Sequence, residues 1–422
     1  MNKIHSTPDL VRIIGSQAEP DPRYLRVAVI GGRRFFLSDG QWHTIGATGP
    51  ETGERYLEMF DEVVVCGREA LQPHAQAGST SPLDPRVKVS LLPNTASLSG
   101  QVLQRRALAS ALEKIIANVD AVILRLGQNS LPALRIARRL GKPVACDVGA
   151  RLHDSLVAYG SIKGRLYAPL AEYKARKVVR EADSVSYVTR EYLQNAYPAR
   201  CDASTFAGSN VEIPTPDPGV LEARKARIAH KPQVIVFGSI GSLSGNTKGI
   251  HIALKALART MKDDPNWNYR VLGGGDPKPL ERLAESLGIA DRVIFHGTLS
   301  HGDPVLRWID DIDVLLHPSL REGVPRAVIE AMSRGCPVIA SSVAGTPELL
   351  APEDLVTPAR VDELACHLPG CRDPEWQSDR AVKNWAHARS YSRDVIGKSR
   401  RAFWNSFADF VLSRKLQENR HD

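Results

Sequence analysis

The 422-residue sequence contains no run of 18 apolar residues, so no membrane-spanning helix is indicated. Its opening stretch, MNKIHSTPDLVRIIGSQAEPDPR, lacks the apolar core of a signal peptide. The expected location is therefore cytoplasmic. Cysteine is sparse, with six residues scattered at 66, 146, 201, 336, 366 and 371. Cys366 and Cys371 lie close together, but no second ligand pair accompanies them, so a zinc site is not expected. Most of the cysteines sit in strand-like apolar runs and read as small hydrophobes. Acidic residues are outnumbered by basic ones, which leaves a net charge of +8 and favours anionic partners. No nucleic-acid recognition motif accompanies that charge, so no nucleic-acid partner is expected.

What is present is alternation. Apolar runs at 26–30, 62–66, 87–91, 120–126, 143–148 and 184–188 read as strands, with helical periodicity between several of them, as at 104–117 and 131–140. Residues 1–24 are polar and peripheral. The stretch Glu212-Ile-Pro-Thr-Pro-Asp-Pro-Gly219 interrupts the pattern, and its alternate prolines suit an extended linker. Beyond it, strands at 233–238, 269–273, 292–296, 313–317 and 337–341 alternate with helices at 250–261, 279–287 and 325–334. The pattern predicts an α/β protein with two open, mostly parallel sheets facing across a cleft. Ligands of such sheets bind at the carboxyl ends of the strands. Near the C terminus, Phe403, Phe407, Phe410 and Val411 form one amphipathic stripe, read as core packing.

Residues 317–350, HPSLREGVPRAVIEAMSRGCPVIASSVAGTPELL, read as a loop, a helix starting at Pro325, a Gly335 cap, a buried strand and a second loop. Glu322 precedes the helix and Glu330 lies on it. A helix N-terminus offers free N–H groups and positive potential to a phosphate. Glu322 could accept from sugar hydroxyls and Glu330 from a ribose. Taken alone, the pair reads sooner as ordinary surface glutamates on a solvated helix.

Several loops follow strands. Phe237-Gly-Ser-Ile-Gly-Ser-Leu-Ser-Gly-Asn-Thr-Lys-Gly249 permits close backbone approach to an anion, with Lys248 placed to neutralise a diphosphate or simply solvated. It is not a Walker loop, because Gly249 rather than Ser or Thr follows Lys248, and it does not read G-x-G-x-x-G. A dinucleotide dehydrogenase is therefore set aside. Leu272-Gly-Gly-Gly-Asp276, Val293-Ile-Phe-His-Gly297 and Gly46-Ala-Thr-Gly-Pro-Glu-Thr-Gly53 read as further strand-end or loop segments. Asp311-Ile-Asp313 has D-x-D spacing but opens a strand, so a metal role is not expected. Asp147-Val-Gly-Ala-Arg-Leu-His-Asp154 offers His153 and Asp154 as site candidates or structural residues. Six basic residues between Lys163 and Arg180 make either a solvated helix face or one for anionic lipid.

The 317–350 stretch resembles the donor-binding segment of family 4 glycosyltransferases. The matching residues are Glu322-Gly323, Pro325-Arg326, Ile329-Glu330-Ala331-Met332, Arg334-Gly335, Pro337-Val338-Ile339, Gly345 and Pro347-Glu348-Leu349-Leu350. The 237–249 loop resembles that family's phosphate-binding loop, with Ser239 where many members carry arginine. The resemblance implies the GT-B fold, two Rossmann-like domains across a cleft. It implies an acceptor-binding domain over 1–212, a nucleotide-sugar-binding domain over 213–393, and a helix over 394–422 that returns to the first domain. It further implies a retaining hexosyl transfer from a nucleotide-diphosphate sugar to a glycan or lipid-linked acceptor in cell-surface polysaccharide assembly.

No metal and no cofactor are expected beyond the donor substrate. The implied catalytic residues are Lys248, Glu322 and His153. The implied donor contacts are Gly241, Ser242, Lys248, Gly323, Val324 and Glu330. An anionic membrane surface, the inner face of the plasma membrane, is an expected partner. Two alternatives stay open: a GT-B nucleotide-sugar epimerase and a non-catalytic partner subunit of the same fold.

Overall fold

The computed structural model describes residues 21–45, 53–70, 80–95, 97–158, 162–230, 233–261 and 264–420. Among the described residues the first sheet has nine strands. Its parallel centre runs Arg26–Ser38, Ala121–Arg125, Val144–Val148, Ser184–Tyr187 and Ser204–Ala207. Glu62–Glu69 and Val87–Leu91 extend it on the other side of the first strand. The second sheet has six parallel strands in the order Val293–Phe295, Trp267–Leu272, Ile235–Ile240, Val314–His317, Val338–Ser341 and Leu355–Val356. Helices cover both faces, which is why strands such as Val144–Val148 and Val338–Ser341 are buried along their whole length.

The first strand is longer than the sequence reading placed it. It passes a register shift between Ile30 and Arg34 and continues to Ser38, then folds back as Gln41–Ile45. Asp39 and Gly40 make the turn at φ +50° and +77°, the left-handed pair of a two-residue hairpin. Asp-Gly was the available signal. The glycines at 31 and 32 masked it by appearing to end the strand. Of the 46–53 glycine loop, only Gly53 lies among the described residues.

The stretch 212–219 is not a free spacer. Ile213 is buried and bridges to Ser392, donating to the Tyr391 carbonyl (3.2 Å) and accepting from Arg393 N–H (2.9 Å). Arg400 pairs with Glu212 and Thr215 bonds Asp394. Pro218 opens the helix Pro218–Ala229, capped by Asp217. The two crossings between the sheets therefore run side by side and hold each other.

After the second crossing, the helix Arg393–Glu418 packs on the first sheet. Phe403, Trp404, Phe407 and Val411 are buried there against Tyr56, Phe60 and Val63. Phe410, expected in that stripe, is exposed and lies under the Arg414 guanidinium. At 100° per residue, Trp404 draws the buried arc to one side and leaves Phe410 at its edge. Cys371 is buried and Cys366 exposed.

Phe407→Ala should cost about 3–5 kcal/mol of stability, since it empties a packed aromatic site. Phe410→Ala should stay within about 0.5 kcal/mol of the parent. Urea denaturation of the two variants checks this, and equal losses would contradict the assigned face.

Candidate active site

The strand Ile235–Ile240 delivers the loop 241–249, and the loop is built by close backbone contacts. A Cβ on Gly273 would lie 1.8 Å from the Gly241 carbonyl oxygen, and one on Gly249 would lie 1.8 Å from that of Pro318. Gly249 also holds φ +68°, a region that favours glycine. Gly241 spends its N–H on the Leu272 carbonyl (2.9 Å) and gives room to the Lys248 stem, whose Cγ an added Cβ would meet at 2.7 Å. Gly241 thus supplies clearance. Ser242 is exposed, and its hydroxyl accepts from Ser244 N–H at 3.2 Å.

This packing sends Lys248 toward Glu322. Lys248 Nζ stands 2.7 Å from Glu322 Oε1, and His317 Nε2 stands 2.9 Å from the same oxygen. His317 ends the strand Val314–His317 and is 2% exposed, while the Glu322 side chain is 8% exposed. Burial works to raise the Glu322 carboxyl. His317 and Lys248 outweigh it and hold the group down at about 2, so Glu322 is ionised throughout the physiological range. Sequence reasoning missed His317. Its signal was a polar residue at a strand's carboxyl end, five residues before Glu322.

Ser239 lies inside the strand, not in the loop mouth. Its hydroxyl donates to the Leu316 carbonyl (2.6 Å) and accepts from Tyr269 (2.7 Å). Asp313 is likewise committed, accepting from Arg227 (2.8 Å) and from Val236 N–H (2.7 Å).

The helix that follows Glu322 spans Arg326–Ser333, with Pro325 one position earlier than expected, as its N-cap. Proline offers no capping side chain, so the first-turn N–H groups keep their positive potential. Residues 327–333 are all buried, Glu330 among them. Burial raises the Glu330 carboxyl, against the opposing pull of Arg326 one turn earlier, to about 7. Among the described residues its carboxylate takes no side-chain hydrogen bond. A buried acceptor of that kind can receive hydroxyl donors.

The segment after Glu322 is also the seam with the first sheet. A Cβ on Gly323 would lie 2.7 Å from the Gly149 carbonyl oxygen, and the Gly323 carbonyl accepts from Gly345 N–H at 2.9 Å. Val324 packs against core clusters of both sheets. Glu348 accepts N–H bonds from Arg190 (2.6 Å), Glu191 (3.1 Å) and Tyr192 (3.0 Å), three donors of the first sheet's side. Sequence reading gave Glu348 no such role, because its partners lie more than 150 residues away.

His153 stands on the helix Leu152–Ala158, with Nδ1 3.2 Å from Asp154 Oδ1. Asp154 also accepts from the Tyr192 hydroxyl. His153, Asp154 and Val157 face Asn246, Thr247 and Leu320 across a cavity of about 310 Å³. The fold therefore brings His153 to the same cleft as the loop that carries Lys248. It does not join His153 to Lys248 or Glu322 by a hydrogen bond among the described residues.

Two parallel α/β sheets meet at the carboxyl ends of their strands, with a lysine, an uncapped helix N-terminus and two buried glutamates on one side. That arrangement is the GT-B fold. Residues 222–368 match the family described as "Glycosyl transferases group 1", which supports a glycosyltransferase activity. It is 25% identical to Protein CapJ of Staphylococcus aureus, over 86% of this chain and 92% of that protein. It is 32% identical to the D-inositol 3-phosphate glycosyltransferase of Mycobacterium sp. (strain KMS), over 46% of this chain and 44% of that one. Its fold is that of Anabaena Alr3699/HepE, solved with UDP-glucose, at TM-score 0.59, 20% identity and coverage of 93% and 100%.

Glu330 makes stability depend on pH. Its folded value lies above the ordinary 4.5, so the unfolded chain releases the proton first, and stability falls as pH rises from there to about 7. Glu330→Gln should remove that slope and gain about 3 kcal/mol over the parent above pH 7. Urea denaturation of both proteins at pH 5 and pH 8 checks this. A difference that is the same at both values would refute it.

Proposed function

We propose that the chain moves a hexosyl group, with retention, from a nucleoside-diphosphate sugar to a glycan or lipid-linked acceptor in cell-surface polysaccharide assembly. The observation that carries this reading is the Lys248–Glu322–His317 cluster beside the uncapped Arg326–Ser333 helix. A diphosphate at that N-terminus would compete with Glu322 for the Lys248 ammonium. The freed Glu322 carboxylate, still bonded to His317, would accept from donor-sugar hydroxyls. Glu330 would accept from the ribose. The similar structure solved with UDP-glucose supports a nucleotide sugar as donor.

In this reading the anomeric C–O bond to the diphosphate breaks while the acceptor oxygen bonds to the same face of the carbon. The acceptor's proton passes to the leaving phosphate oxygen. Lys248 and the helix N–H groups stabilise the charge that grows on that oxygen. His153 and Asp154 line the cleft where the acceptor hydroxyl would enter. The reading calls for no metal and no cofactor. Among the described residues no helix is long and apolar enough to cross a membrane, and a lipid-linked acceptor would bring the chain to the inner face of the plasma membrane as a peripheral protein.

Glu330→Ala should lower UDP affinity by about tenfold or more, because a charge-assisted hydrogen bond contributes roughly 1.5–3 kcal/mol. Glu322→Gln should leave UDP affinity near that of the parent and depress transfer. Lys248→Ala should lower turnover more than UDP binding, since the diphosphate gains charge as the bond breaks. Calorimetry with UDP and single-turnover transfer measure both quantities. If all three variants bind and transfer as the parent does, the donor site lies elsewhere.

A further inference from the structure

The first sheet holds a second, larger cavity that the donor chemistry does not use. Its volume is about 770 Å³, within the range of small-molecule sites. It opens where the strand Ala121–Arg125 gives way to Leu126 and Gly127. Three cations line it, Arg68, Lys163 and Lys174, and among the described residues no carboxylate does. Serines and glutamines fill much of the remaining wall, among them Ser97, Gln101 and Gln128. Such a lining suits a ligand with both negative charge and hydroxyls. The helix Leu152–Ala158 is shared between this cavity and the cleft. Leu152, Ser155 and Leu156 face the cavity, while His153, Asp154 and Val157 face Thr247 beside Lys248.

The mouth of the cavity is flanked by exposed apolar side chains. On the helix Ile162–Glu181, Lys163, Tyr167, Ala171 and Lys174 face the cavity. One residue earlier at each step, about 100° round the helix, stand Ile162, Leu166, Leu170 and Tyr173, between 48% and 78% exposed. Across the mouth, the helix Leu98–Leu103 gives Gln101 to the cavity and leaves Val102 and Leu103 75% and 80% exposed. The Tyr167 hydroxyl, which donates to Gln101 at 3.2 Å and accepts from Lys174 at 3.1 Å, ties the two helices together.

Exposed cations surround this patch: Arg105, Arg106, Lys163 and Arg165. The carboxylates of the longer helix are spent elsewhere, Glu172 on Arg151 and Tyr197, and Glu181 on Lys177. Apolar side chains at the surface interleaved with unopposed positive charge match the interface of an anionic bilayer. A protein partner of comparable size would call for a charge-poor apolar centre, which this interleaved patch lacks.

We propose that this face docks on an anionic bilayer and that the adjoining cavity takes the phosphate-bearing headgroup of a lipid, the acceptor's anchored end. The inference rests on the glycosyl-transfer reading for the word acceptor, but not for the docking itself. The full chain would be sedimented with vesicles of phosphatidylcholine alone, and with phosphatidylglycerol or phosphatidic acid added to equal surface charge, at low and high salt. UDP calorimetry on every protein serves as the independent control.

The parent should bind both anionic vesicles, more tightly at low salt, and should prefer the terminal phosphate of phosphatidic acid. Leu103→Asp/Leu166→Asp should weaken binding to both by about tenfold or more with UDP binding unchanged. Arg68→Ala/Lys174→Ala should remove only the preference. Val102→Ser/Ile162→Ser repeats the docking test at separate positions. Absence of anionic-vesicle binding by the parent, or parental binding by both apolar pairs of variants, overturns the dock. Equal affinity for the two anionic lipids overturns the headgroup site. A parent that binds vesicles but not UDP leaves the dock standing and removes the glycosyl-transfer reading.

Discussion

Gly323 meets the Gly149 carbonyl at a distance no side chain would permit, and the geometry of the cleft depends on that contact. The same few residues carry both duties of the second sheet. Gly323 and Val324 close the seam, and the segment they begin runs directly into the Arg326–Ser333 helix whose N-terminus faces the cleft. Glu348 holds the seam from the next loop by capping the N–H groups of residues 190–192. A carboxylate that accepts three backbone donors forms a strong bond without a complementary charge. Any motion that parts the sheets must leave those donors and that carboxylate to water.

The donor side is built on a different constraint, a carboxylate that cannot be left alone in a poorly solvated site. Lys248 is paired with Glu322, and His317 shares the same oxygen. Removing either partner from such a cluster strands a charge, so the cluster is held together before any ligand arrives. A diphosphate replaces one anion by another beside the lysine. The exchange keeps the local charge balanced and releases Glu322 toward the sugar. Glu330 is the opposite case: a carboxyl buried with little compensation, and therefore poised near neutrality. The fold stores there a cost that hydroxyl donors would offset.

Both sheets present their strand ends to the middle of the molecule, and the Leu152–Ala158 helix divides what lies there into two spaces. One is lined jointly by the two sheets, beside Lys248. The other belongs to the first sheet alone and opens toward the exposed apolar patch. The clamp between residues 212–213 and 391–393 keeps the tail helix on the first sheet while the second sheet stands across the cleft.

The α/β alternation, the second sheet's strands and the 317–350 constellation were legible in the sequence because they are local. Buried parallel strands need continuous apolar runs, and a helix start, cap and stop are written in neighbouring residues. Glu322, Glu330 and Lys248 could be singled out from such local patterns. Their relation could not, because Lys248 and Glu322 are 74 positions apart and only the packing of Gly241, Gly249 and Gly273 brings them together. The hairpin at Asp39-Gly40 was written locally as well but was hidden behind two glycines that bend the strand without ending it. Phe410 followed the helical period yet faces solvent, since which arc of a helix is buried depends on the surface it meets. His317, Gly149 and Glu348 acquire their parts from partners distant in the chain. Sequence thus determined the elements and the chemical groups, and tertiary structure alone decided which of those groups share an oxygen, a seam or a cavity.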